Sequence, residues 1–256
     1  MPAHPNAVTA FTDALLTARR TGVPLDPAGC TLPTDLATAM AVQAAVTEQL
    51  GAPIGGWKIG VSPDGTPIAA PIYRDRIWDN GAKLVMPGIG RLGIEVEVGL
   101  RLAADLPPRP SRPYTRDEVL AAIGALFVGV EPVESRYGEP LKGGFVAFLA
   151  DNMANHGYVT GPPVTSWRDL DLATLRCTLE IDGKRIHDKL GGHAAGDPLI
   201  WLVGYAANQT QGLGGLKAGQ VITTGSFNGM PWLEHPGHVK AGLGGLGEVA
   251  FDVVTG

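Results

Sequence analysis

The chain has 256 residues, 18% of them charged, and a net charge of −5 with acidic and basic residues interspersed, so it carries no electrostatic footprint for nucleic acid or an anionic membrane. No apolar run reaches the ~18 residues of a membrane-spanning helix, and MPAHPNAVTAFTDALLTARR lacks the basic start and apolar stretch of a secretion signal. Cys30 and Cys177 stand alone with no CxxC, as thiols do in a reducing compartment, and the expectation is a cytoplasmic protein.

Two helices are predicted first. Asn6 or Thr9 can cap one that runs to about Arg20 and stops at Gly22. Thr34 opens the second, which carries Leu36, Met40, Ala44, Val46 and Leu50 at helical spacing and closes at Gly51, before Pro53. From Gly56 the pattern turns strand-like, through WKIGV, KLVM and IEVEVGLRL. Thr115 and Glu118 have capping-box spacing and predict a helix to about Leu126. FVGVEPVES reads as a strand, and Pro132 inside it predicts a bulge or a sheet edge. Asp182-Gly183 is a two-residue hairpin turn between strands at 177–181 and 184–187. Asp197-Pro198 predicts the cap and first residue of a helix to about Gln209, and strands at 220–226 and 247–255 end the chain. Helices followed by mostly strands argue for an α+β fold over a repeating βαβ unit. The 36 glycines, scattered rather than clustered, suit many tight turns.

Several motifs fail on context. GxGxxG occurs at Gly88/Gly90/Gly93 and at Gly242/Gly244/Gly247, each before a predicted strand, where a nucleotide fingerprint needs a helix. GSFNG is not a G-x-S-x-G elbow, and the six histidines form no HExxH.

The carboxylates are more informative. In Ile94-Glu95-Val96-Glu97-Val98, period-two alternation puts Glu95 and Glu97 on one strand face, about 7 Å apart. They are either the wet face of an ordinary strand or two ligands. Glu131 interrupts an apolar strand, where a lone carboxylate is costly without a compensating cation or donor. Three carboxylates on two strands, sharing a cation by all-oxygen ligation, suit Mg²⁺ or Mn²⁺; the alternative is an ion pair of Glu131 with Arg136. Lys58 lies between Trp57 and Ile59, either snorkelling or placed as a cation for a substrate carboxylate or as an amine of lowered pKa.

GWKIG, the E-x-E pair, GVEPVESR, ADN at 150–152, LKAGQVITTGS at 216–226 and the closing GLGEVAF together resemble the fumarylacetoacetate hydrolase superfamily. Within it the resemblance is to the branch of 2-hydroxypenta-2,4-dienoate (2-keto-4-pentenoate) hydratases and 4-oxalocrotonate decarboxylases, over nearly the whole chain and in the same order. It implies a mixed β-roll or sandwich with an N-terminal helical portion at 1–55, a catalytic mixed β domain at 56–256, and a homo-oligomer, dimeric or larger. It implies metal ligands at Glu95, Glu97 and Glu131 for Mg²⁺ or Mn²⁺, an active-site lysine at Lys58, and a substrate-proximal turn at Gly225 and Ser226. The implied reaction is hydration of a small 2-hydroxydienoate or 2-oxo-enoate, with decarboxylation, C–C hydrolysis or an inactive partner subunit as alternatives on the same scaffold. The chain departs from the family's pattern where Ile72-Tyr73 follow Pro71, where Glu134 replaces an aspartate, at Pro236-Gly237-His238, and in the apolar segment 144–148.

Overall fold

A computed structural model describes residues 5–109 and 111–256. Helix α1 (Pro5–Thr21) contains both Asn6 and Thr9, so neither is its cap. The second helix, α2 (Leu36–Leu50), is capped by Asp35 rather than Thr34, its carboxylate accepting from Thr38 N at 2.7 Å. Gly51 ends it in the left-handed conformation at φ 59°, as expected.

Four short-range strands follow, β1 (Ile54–Val61), β2 (Pro67–Tyr73), β3 (Ile77–Asp79) and β4 (Lys83–Val85), then the long β5 (Leu92–Leu102). The Thr115–Glu118 capping box forms, but its helix α3 (Arg116–Ala121) stops early because β6 (Ile123–Val133) begins two residues later. The apolar residues that extended the helical reading belong to that strand. Helix α4 (Gly144–Ala150), β7 (Tyr158–Thr160), β8 (Arg176–Ile181) and β9 (Lys184–Leu190) come next. The turn between β8 and β9 has φ 49° at Asp182 and 76° at Gly183, both positive as a type I′ hairpin requires. Helix α5 (Ile200–Ala207) starts later than expected: Asp197 Oδ1 accepts from Leu199 N at 3.0 Å, closing a turn ahead of the helix instead of capping it. The chain ends with β10 (Val221–Thr223), β11 (Trp232–Leu233), β12 (Gly237–Leu243) and β13 (Gly247–Val254).

The strands form two sheets. One runs β2-β1-β10-β5-β6-β7-β3 with β11 also beside β5, and the other runs β4-β13-β12-β8-β9. The main core lies between them, where Ile94, Val96 and Val98 of β5 and Val128 and Val130 of β6 join Val239, Ala241, Val249 and Phe251 of the second sheet. Even-numbered residues of β5 therefore face the core, and Gly93, Glu95, Glu97 and Gly99 share the opposite face. A second apolar cluster covers part of that face, with Phe11, Leu15, Val42, Val46 and Leu149 packed over Ile68 and Ala70 of β2. Helices thus pack on a mixed, curled sheet, the α+β arrangement expected. None of the described helices is long and apolar enough to cross a membrane.

Pro132 makes neither bulge nor edge. It pairs with Ile94 in unbroken register in the middle of the sheet. Ile94 N donates to Pro231 O on its far side at 2.9 Å, so this is a pair without ladder bonds, and the missing N–H of Pro132 points away from β5. The pairing of β7 with β6 covers only Gly129 and Val130, so no ladder bond is lost there. Close approach decides another neighbour relation. A Cβ on Gly56 would lie 2.3 Å from Val221 O, and its absence lets β1 seat parallel to β10, with Lys58 beside Thr223.

Candidate metal centre

Glu95 stands directly across from Glu131, and Glu97 follows one pleat further along β5. One carboxylate oxygen from each of the three lies within 4.8 Å of the others. Glu97 and Glu131 are fully buried, while Glu95 is partly exposed. Like charges directly opposed across a sheet are destabilising, and here they meet away from water.

Lys58 enters from β1, its Nζ 2.6 Å from Glu131 Oε1 and 3.3 Å from Glu95 Oε2. One ammonium cannot balance three carboxylates. Burial, with the charges of Glu131 and Glu95, holds the Glu97 carboxyl well above its ordinary range. Burial also pushes Glu131 up to about 7, although the Lys58 charge opposes it. Burial would lower Lys58, but the three glutamates override it and raise the ammonium above its usual value. Without a dication, Lys58 is thus favoured as a cation in contact with Glu131 and Glu95. Arg136 does not pair with Glu131. Its Nε goes to Asp151, and Glu134 lies 3.8 Å from its Nη1.

The oxygens divide into two sets. Glu97 Oε2 accepts from Thr224 N at 3.2 Å and Tyr158 OH at 3.4 Å, and Glu131 Oε1 accepts from Lys58. Glu97 Oε1 and Glu131 Oε2 are buried and have no hydrogen-bond partner. Each buried carboxylate is thus oriented through one oxygen and bare at the other. A hard dication fits this all-oxygen donor set and offsets the excess negative charge.

The Thr224-Gly225-Ser226 turn reaches the cluster through its backbone. Ser226 bridges to Glu97 beside the Thr224 N–H, but its Oγ donates to Gly229 O at 2.7 Å and so turns into its own loop. Gly225 has φ 104°, and a Cβ there would meet Trp201 at 2.5 Å and His193 Nε2 at 2.9 Å. His193 Nε2 in turn hydrogen-bonds Thr224 O at 2.7 Å.

Tyr158 is the site residue that motif reading missed. It is fully buried under Glu97, in a slot made by two glycines: a Cβ would lie 2.8 Å from its hydroxyl at Gly99 and 2.0 Å from it at Gly129. A glycine two positions from a glutamate on each strand, Gly99 after Glu97 and Gly129 before Glu131, was the available signal. Tyr158→Phe removes one of two donors that orient Glu97, and the expected result is a fall of about 10–100-fold in divalent-metal affinity with the fold intact. Calorimetric titration with Mn²⁺ measures this, and an unchanged affinity would show that Tyr158 does not orient the carboxylate.

Fold and site together define a protein with a buried carboxylate cluster, of a kind suited to a cation, on a mixed sheet. The profile of the fumarylacetoacetate hydrolase C-terminal family matches residues 48–254, and the chain belongs to that family. It is 27% identical over 250 residues to a 2-keto-4-pentenoate hydratase of Paraburkholderia xenovorans (strain LB400), covering 92% of this chain and 91% of that protein. It is 34% identical over 112 residues to a 4-oxalocrotonate decarboxylase of Pseudomonas sp. (strain CF600), covering 43% and 39%. In fold it is similar to the 4-oxalocrotonate decarboxylase from Pseudomonas putida G7 solved with magnesium and adipate, with a TM-score of 0.82 over 98% of both chains at 23% identity.

Proposed function

We propose that the protein is a Mg²⁺- or Mn²⁺-dependent hydratase of a small 2-hydroxy-2,4-dienoic acid. The observation that carries this reading is the convergence of Glu95, Glu97 and Glu131 oxygens within 4.8 Å of one another, with a lysine ammonium in contact with two of them. In sequence, likeness to a hydratase spans 92% of the chain, against 52% and 43% for two decarboxylase matches, which supports water addition; the full-length fold likeness is to a decarboxylase and supports the scaffold alone.

The three glutamates hold the cation, and the cation when bound supplies a Lewis acid for the carboxylate and 2-oxygen of the substrate. The dienol ketonises as the proton of its 2-hydroxyl leaves and one is delivered to C5, giving a 2-oxo-3-enoate. Water then adds, hydroxyl at C4 and proton at C3, to give a 4-hydroxy-2-oxo acid. Lys58 Nζ, in contact with Glu131 and Glu95, serves to shuttle a proton or to hold the substrate's charged end. In this proposal residues 56–256 form the catalytic domain, residues 1–55 its helical portion, and the enzyme is a cytoplasmic homo-oligomer.

Incubation with 2-hydroxypenta-2,4-dienoate and, separately, with 4-oxalocrotonate in the presence of Mg²⁺, followed by mass spectrometry, tests the reaction. Gain of one water by the first compound is the expected result. Loss of CO₂ from the second, without hydration of the first, would replace the hydratase by a decarboxylase, and no change in either would remove both.

A further inference from the structure

A cavity of about 620 Å³ opens where the end of α1 meets the loop after β4, a size within the range of small-molecule sites. Helix end and loop touch backbone to backbone on one side of it, since a Cβ on Gly22 would lie 2.9 Å from Gly88 Cα. Leu16, Leu50, Val85 and Met86 supply an apolar wall, and Leu50 and Val85 are 41% and 55% exposed. Arg19, Arg20 and Arg76 line the same space. None of Glu95, Glu97, Glu131 and Lys58 is among the lining residues, so the cavity is separate from the carboxylate cluster. Asn155 stands between the two, lining the cavity while its amide favours the charged form of Glu131.

The charges on the cavity's walls do not balance. Glu134 is taken by His156 at 2.7 Å and lies 3.8 Å from Arg136 Nη1. Burial opposes its charge, but these two partners hold the carboxyl down at about 2. Asp151, behind the wall, is taken by the Nε and the backbone N–H of Arg136. Arg19 Nη2 comes no closer to it than 4.0 Å, and the buried Nε of Arg19 has no hydrogen-bond partner. Burial, with the charge of Arg136, lowers Arg19 to about 10, which leaves it a cation at neutral pH. Arg20 and Arg76 are exposed and make no ion pair among the described residues. Counting His156 as neutral, three arginines against Asp75 and Glu134 leave one positive charge in excess on the lining, and Arg136 and Asp151 cancel behind it.

A monoanion matches that excess, whereas a dianion overshoots it beside Glu134. A carboxylate is the monoanion a guanidinium pairs with most strongly. Exposed leucine and valine side chains next to the arginines suit an apolar body attached to it.

We propose that this cavity binds a small monocarboxylate with a short apolar body, its carboxylate on Arg19 and Arg76 and its chain along Leu50 and Val85, independently of the metal centre. Hexanoate is a suitable probe, because it lacks the 2-oxo group that chelation of a metal would use. Calorimetric titration of the full chain with hexanoate, in Mg²⁺ and again in EDTA, tests the site. The expected result is one-to-one binding of equal affinity in both conditions, at least tenfold tighter than that of sulfate. Arg19→Gln and Arg76→Gln should each weaken it at least about tenfold, the effect of losing a charge-assisted hydrogen bond. Arg76 is exposed, so its substitution leaves the core intact, and thermal melts check that both variants fold. Binding that disappears in EDTA would move hexanoate to the metal centre and overturn the proposal. Undiminished binding by either variant, sulfate bound as tightly, or no binding by the unsubstituted protein would overturn it as well. Turnover is not the readout, so each of these failures leaves the hydratase reading to its own test.

Discussion

Glu97→Gln is expected to stabilise the metal-free protein while abolishing its turnover. The glutamine keeps an oxygen for Thr224 N and Tyr158 OH, the two donors that hold Glu97 Oε2, and it removes a fully buried carboxyl whose ionisation burial and two neighbouring glutamates oppose. Relief of that desolvation and repulsion is worth about 1–3 kcal/mol, a rise in melting temperature of at least about 2 °C for a chain of this size. In the presence of Mg²⁺ or Mn²⁺ the order inverts, because the unsubstituted protein gains stability from ligand binding and the variant does not. The loss of metal affinity should exceed the roughly 10–100-fold expected of an outer partner such as Tyr158. Glu95→Gln should lose turnover equally but gain less stability without metal, since Glu95 is partly in water already. Thermal melts and calorimetry on both variants measure this. A variant that kept near-full turnover and metal affinity would strike that residue from the ligand set.

The second large effect is on stability alone. Asp151→Ala should cost about 3–5 kcal/mol, the usual consequence of leaving one member of a buried ion pair uncompensated. Asp151 takes the Arg136 Nε and accepts the Arg136 backbone N–H at 2.9 Å, and both residues are buried. The same guanidinium donates to Asp151 O at 2.7 Å and Asn155 O at 3.2 Å, bracketing Asn152, Met153 and Ala154. All three hold left-handed backbone, at φ 52°, 52° and 58°. Such residues are strained by about 1–3 kcal/mol each unless their surroundings enforce them, so the pair stabilises a turn that would otherwise relax. Asn152 Nδ2, bonded to Pro71 O and Tyr73 OH at 3.2 Å each, ties that turn to β2. Urea denaturation of Asp151→Ala should show the loss as a lowered midpoint. A midpoint within error of the unsubstituted protein would mean that the turn is held by other contacts.

The carboxylates of the site were legible in the sequence because a period of two states which residues share a strand face. That period does not say which face of the sheet the helices cover or which strand lies alongside. The sequence accordingly left Lys58 open between a snorkelling chain, a cation for a substrate carboxylate and a lowered-pKa amine, and its actual place depends on β1 reaching β10, with Lys58 beside Thr223 from near the far end of the chain. The same limit applied to Pro132, whose missing donor was expected at an edge and instead faces past the end of a three-residue strand. Helix ends slipped at α3 and α5 where an apolar strand or a local aspartate turn competed with helical spacing. Tyr158 carried no motif of its own, and its trace in the sequence was the room left by Gly99 and Gly129 on the neighbouring strands.

β10 is only three residues long, yet it alone joins β1 to β5 in the sheet. The β1–β2 hairpin that carries Lys58 and the β5–β6 pair that carries the three glutamates are each built from neighbouring sequence, and such local pairings form early. During synthesis the glutamate strands are complete some ninety residues before 221–223 leave the ribosome. In that interval their charges have no lysine to face, and water solvates them until the sheet closes. The keystone of the site is therefore added near the end of the chain, and a product that stopped short of it would have acid without its counter-charge.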